Sequence, residues 1–74
     1  MGRYEVEGLY LKSYPDVYEP YYSVVTHHSD KPGAIRQCRQ LLKSGAEFVT
    51  CYKSHEYNDG HVIPHVVWDS RYDV

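Results

Sequence analysis

Residues 3–12 (Arg-Tyr-Glu-Val-Glu-Gly-Leu-Tyr-Leu-Lys) alternate apolar and polar side chains, with Tyr4 and Val6 opposite Glu5 and Glu7, until Gly8 moves the apolar phase onto Leu9 and Leu11. A period of two predicts a strand, and the phase change predicts a bulge at the glycine. Residues 13–20 contain Pro15, Asp16 and Pro20 and read as a connection, because proline fixes its own φ and lacks a ladder donor. A second strand is expected at 21–28, which is rich in Tyr, Val and Thr.

The period then changes. Ser29 or Asp30 can cap a helix, Pro32 suits its first turn, and Ala34, Ile35, Cys38, Leu41 and Leu42 recur at helical spacing up to Gly45, which is placed to end it. The predicted helix spans 31–44 and buries Ile35, Cys38 and Leu42. Beyond it, Ala46–Lys53 reads as a strand with Val49 and Cys51 on one face and Phe48 and Tyr52 on the other. The turn-rich stretch Glu56-Tyr57-Asn58-Asp59-Gly60 predicts a hairpin into a last strand, His61–Trp68. Pro64 marks that last strand as an edge strand or as bulged at the proline. Residues 1–2 and 69–74 are expected to fray. The order β-β-α-β-β predicts an α+β domain over 1–74, with a single amphipathic helix packed on a mostly antiparallel sheet of about four strands. One helix covers one sheet face, so the other must meet solvent or a partner.

Composition adds two things. Seventy-four residues lie near the lower limit for a self-sufficient core, so a homodimer is a ready way to gain stability. Nine tyrosines against one phenylalanine put a hydroxyl on nearly every aromatic ring, which suits interfaces better than a dry interior. No apolar run approaches the ~20 residues of a membrane span, and no stretch reads as a targeting segment, so a cytoplasmic location and no membrane partner are expected. Cys38 and Cys51 fall within apolar patterns and are expected to be buried free thiols.

The net charge is −2, but it is unevenly placed. Residues 32–44 carry Arg36, Arg39 and Lys43 without an acid, and both flanking regions are acidic. Across the first 22 residues, Glu5, Glu7, Asp16 and Glu19 interleave with Tyr10, Tyr14, Tyr18, Tyr21 and Tyr22. These nine side chains form a candidate partner-binding surface, in which the carboxylates attract a basic patch and the phenols supply contact area. An alternative reading directs Arg36, Arg39 and Lys43 to phosphates in DNA or RNA, although three cations are fewer than a nucleic-acid-binding domain ordinarily carries.

Candidate chemistry is sparse. His61 and His65, like Cys51 and His55, have a spacing that converges only on a helix, and on a strand residues four apart are separated by roughly 13 Å. A zinc site would have to be assembled across strands from Cys51, His61 or His65, and no metal or other cofactor is expected. The glycines are isolated and build no phosphate loop, and neither cysteine has the exposure and neighbouring base that a nucleophile needs. An enzyme is therefore not expected.

In composition and element order the chain resembles small phage-encoded host-takeover or anti-defence proteins, such as anti-CRISPR proteins and inhibitors of host RNA polymerase, with no diagnostic motif behind the likeness. The resemblance implies a protein or nucleoprotein partner in the host cytoplasm, and inhibition of a larger machine by occlusion of its surface.

Overall fold

The computed structural model describes residues 3–72; the expected fraying of 1–2 and 73–74 lies outside the described residues. Two hairpins flank a single helix: β1 (Tyr4–Leu11), β2 (Tyr21–His28), α1 (Lys31–Lys43), β3 (Phe48–Glu56) and β4 (Val62–Asp69). The strands form one antiparallel sheet in the order β2-β1-β3-β4, giving an α+β fold. Because β2 and β3 both run antiparallel to β1, they are parallel to each other, and α1 joins them by passing over β1.

Local chemistry sets the helix limits. Asp30 is the N-cap, its Oδ1 accepting the Gly33 amide at 2.8 Å, and Pro32 occupies the first turn, where its missing N–H costs nothing. At the other end Ser44 caps and Gly45 takes a φ of 108°, in the left-handed region that side chains avoid.

The core lies between α1 and the middle of β1 and β3. Val6, Ala34, Cys38, Leu41, Ala46, Val49 and Cys51 are buried, with Tyr4, Tyr10, Val67 and Trp68 packed around them. The buried helical stripe is thus Ala34–Cys38–Leu41, one position round from the expected Ile35–Cys38–Leu42. Ile35 is half-buried and Leu42 is exposed.

Gly8 corrects a second expectation. β1 stays in continuous register with both neighbours through Gly8, pairing Val24 on one side and Val49 on the other, so there is no bulge there. What the glycine supplies is room. A Cβ at position 8 would stand 2.9 Å from Leu41 Cδ1, so the missing side chain lets the helix settle onto the sheet. The register shift lies instead between Cys51 and Tyr52, opposite Val67. Pro64 is in an edge strand, as expected, and the pairing there is regular.

The end of β4 is tied down, contrary to the expected fraying from residue 69. Asp69 is buried and accepts Arg71 Nε at 3.1 Å, Arg71 Nη2 at 2.8 Å and the Arg71 amide at 3.0 Å. These donors, led by the guanidinium, hold its carboxyl below the usual carboxylate range. Ser70 accepts the Val49 amide through Oγ at 3.0 Å and donates its own amide to the Val49 carbonyl at 2.9 Å.

At the β3–β4 turn, the Tyr57 amide donates to the His61 carbonyl at 2.8 Å, closing a three-residue loop with Gly60 at a φ of 89°. This is a turn followed by a glycine bulge, the hairpin that Asp-Gly favours.

Cys38 and Cys51 are fully buried free thiols. Burial, reinforced by the neighbouring Cys51, pushes the Cys38 thiol up to about 12, and burial raises Cys51 too. Thiolates are the reactive form, so neither sulfur should react with Ellman's reagent in the folded protein, whereas both should react once denaturant is added. Prompt colour without denaturant would contradict this packing.

Candidate surface for partner binding

The acidic, tyrosine-rich set separates into three groups in space. Pairing through Val6, Gly8 and Val49 places even-numbered β1 side chains under the helix and odd-numbered ones on the opposite face. Tyr10 therefore lies on the helix side, where its ring packs against the core and stacks on Tyr22 at 5.4 Å with planes 13° apart. Its hydroxyl is 2.5 Å from Ser44 Oγ, and Ser44 in turn donates to the Leu41 carbonyl at 2.8 Å. Tyr10 thus braces the end of α1, and Tyr22 is only half open.

Glu5, Glu7 and Tyr21 share the helix-free face. Glu5 sits between His27 and Tyr52, and Glu7 sits between Val25 and Thr50. Tyr21 makes an edge-on contact with Phe48 at 5.9 Å, and the Arg71 guanidinium lies 5.6 Å from the Phe48 ring centre. Two carboxylates thus stand in the middle of a face with aromatic and basic groups at one end. This face is partly shielded, its β1 residues being half-buried apart from exposed Leu11.

The third group is the β1–β2 connection, and it is the most open part of the surface. Tyr14, Val17 and Tyr18 are 93%, 92% and 93% exposed. Open side chains do not make this loop shapeless. Asp16 Oδ1 accepts the amides of Tyr18 at 2.7 Å and Glu19 at 2.6 Å, and those two bonds keep its carboxyl below the ordinary carboxylate range. The Lys12 amide donates to the Pro20 carbonyl at 2.9 Å across the loop base, and Lys12 Nζ lies 3.6 Å from Glu19 Oε2. Two prolines, a side-chain-bonded turn and a closed base hold three large apolar groups in water.

The helix cations take the outward positions expected of them. Arg36, Arg39 and Lys43 are exposed, and among the described residues none has an ion-pair partner.

The histidines remain dispersed. His61 pairs with Asp59 at 2.7 Å, the His55 and His65 rings meet edge-on at 5.9 Å, and His28 bonds Thr26 Oγ1 at 2.9 Å. Cys51 is sealed beneath the helix and cannot join His61 or His65 around an ion. Among the described residues no three His, Cys, Asp or Glu side chains converge as a metal cluster. Among the same residues, no helix is long and apolar enough to cross a membrane.

No family model, no curated protein and no solved structure matches the chain.

Proposed function

We propose that this chain is a non-enzymatic protein-binding module that inhibits or modulates a larger macromolecular machine by occluding part of its surface, with the Tyr14–Glu19 loop as the contact element. The observation that carries this reading is the near-complete exposure of Tyr14, Val17 and Tyr18 on an internally bonded loop. Exposed apolar side chains held by a preformed turn cost little further order on binding, and tyrosine is among the residues that dominate interface energies. Asp16 and Glu19 lie between and beside them, which favours an apolar pocket rimmed by basic residues and disfavours an anionic surface. Glu5, Glu7 and Tyr21 extend the contact only if the partner reaches round to the helix-free face.

The test begins with capture. Immobilised protein is used to draw partners from lysate of the native host, and the captured protein is identified, purified and titrated calorimetrically. Tyr18→Ala combined with Glu19→Lys is expected to weaken that complex roughly 100-fold, as loss of about 2–3 kcal/mol at a hot spot implies. The thermal midpoint should stay unchanged, because neither side chain supports the core. Equal affinity of the double variant and the wild type would remove the loop from consideration.

Arg36, Arg39 and Lys43, exposed on α1 and without an ion-pair partner among the described residues, favour a second reading, a nucleic-acid-associated regulator. It requires retention of labelled DNA or RNA at low salt, steep loss of binding as salt rises, and sensitivity to Arg36→Glu with Arg39→Glu. Retention that ignores those substitutions would count against it.

A further inference from the structure

The two edges of this sheet are built differently. Along β4 the ladder parity follows from two backbone bonds: Ser54 donates its amide to the Arg3 carbonyl at 3.0 Å, and Tyr57 donates to His61 at 2.8 Å. Even-numbered residues of β3 thus turn their backbone groups toward β1, and odd-numbered ones turn toward β4. Ser54 opposite Pro64 is therefore a non-hydrogen-bonded pair, and the proline nitrogen lies on the outer edge. Pro64 costs the sheet no bond, and it removes a donor where an added strand would need one.

The β2 edge has no such protection. The bond from the Lys12 amide to the Pro20 carbonyl fixes its parity, with even-numbered residues facing β1 and the backbone groups of Tyr21, Ser23, Val25 and His27 pointing outward. Over these eight residues there is no proline, no bulge, no lysine and no carboxylate. Natural sheets ordinarily blunt such an edge.

We infer that β2 pairs antiparallel with β2 of a second copy of this chain, forming a two-fold dimer with one continuous eight-stranded sheet. The strand suits itself. Opposed residues in an antiparallel ladder must share parity, so a two-fold axis can pass only at a residue opposite its own copy. The four outward residues are centred on Val24. Only the register with Val24 against Val24 pairs all of them, Tyr21 with His27 and Ser23 with Val25 in both directions. Val24–Val24 and Tyr22–Thr26 contacts follow on the helix side, and nowhere along the seam do like charges oppose each other. A core of seven buried apolar side chains also gains from an enlarged sheet.

This inference does not depend on the proposed contact loop, but it changes what the loop can do. The loop leads directly into β2, so antiparallel pairing sets the two copies of it at opposite ends of the seam, roughly 25 Å or more apart for a strand of eight residues. A partner with repeated sites would then be held by both.

Sedimentation equilibrium tests the seam. The wild type is expected at twice the 8.7 kDa chain mass. Ser23→Lys with Val25→Lys sets lysines directly against each other across the seam while leaving every bond between β1 and β2 in place. That variant should sediment as a monomer with an unaltered far-ultraviolet circular dichroism spectrum. Val24→Cys should form a symmetric disulfide under oxidised glutathione, because non-hydrogen-bonded pairs bring Cα atoms to about 4.5 Å, and the native cysteines are sealed. Tyr18→Ala with Glu19→Lys should remain dimeric, which separates failure of the loop from failure of the seam. A wild type that stays monomeric to millimolar concentration overturns the inference. So does a dimer that the paired lysines leave intact, since it would use another surface.

Discussion

Leu41→Ala is expected to remove most of the folding stability of the chain while leaving a measurable folded population. Leu41 is 7% exposed and joins the last turn of α1 to the sheet at Gly8. Truncating a buried leucine costs about 2–5 kcal/mol, because the cavity collapses only in part. A core of this size rarely supplies more than about 3–5 kcal/mol in total, so one substitution consumes most of the margin. Leu42→Ala is the control, since Leu42 is 36% exposed and its removal should cost less than about 1 kcal/mol. Urea titration followed by circular dichroism separates the two. A Leu41→Ala midpoint close to that of Leu42→Ala would show that the helix rests on some other contact.

The second large effect is expected at Gly8. Gly8→Val should destabilise by about 1–3 kcal/mol through overpacking, because its Cβ would meet Leu41 Cδ1 at 2.9 Å, with Leu41 Cβ also nearby at 3.7 Å. Gly8 does not have a positive φ, so the cost is one of space and not of backbone conformation. That distinction has a measurable form. With Leu41→Ala already in place, Gly8→Val should cost far less or restore stability, since the valine enters the vacated volume, and contacting residues couple by about 0.5–3 kcal/mol. Strict additivity in the double-mutant cycle would mean that position 8 rejects side chains for some other reason.

These two positions also show where reading the sequence reached its limit. The helix was legible because its signals are local: Asp30 caps within three residues and Gly45 stops the chain where it stands. Which helical stripe faces inward was not. Ala34–Cys38–Leu41 and Ile35–Cys38–Leu42 are both sound apolar rows, and the choice depends on a groove at Gly8, distant from them in the chain. The same contact misdirects the interpretation of Gly8, because an isolated glycine in a strand signals either a bulge or a close approach, and only the approaching residue tells which. At the carboxyl end, the bidentate Asp69–Arg71 pair turns residues that looked like a loose tail into an anchored strand end.

The candidate surface was legible by composition and not by position. Tyrosine has a ring that packs and a hydroxyl that tolerates water, so its sequence context does not distinguish Tyr10, braced against the helix end, from Tyr18, standing clear. Strand parity separates part of the set: Glu5, Glu7 and Tyr21 occupy one face, and Tyr10 and Tyr22 the other. Asp16, whose side chain accepts the Tyr18 and Glu19 amides, shapes the loop on which Tyr14, Val17 and Tyr18 stand open.

Pro64 has a consequence for how far assembly can go. In a pair joined along β2, both free margins of the enlarged sheet belong to β4, and each carries a ring nitrogen that cannot donate. A third molecule would find no complete template at either margin. Growth of such a pair would therefore halt at two, because Pro64 interrupts the margin of a strand that leaves Val62, Ile63 and Val66 exposed.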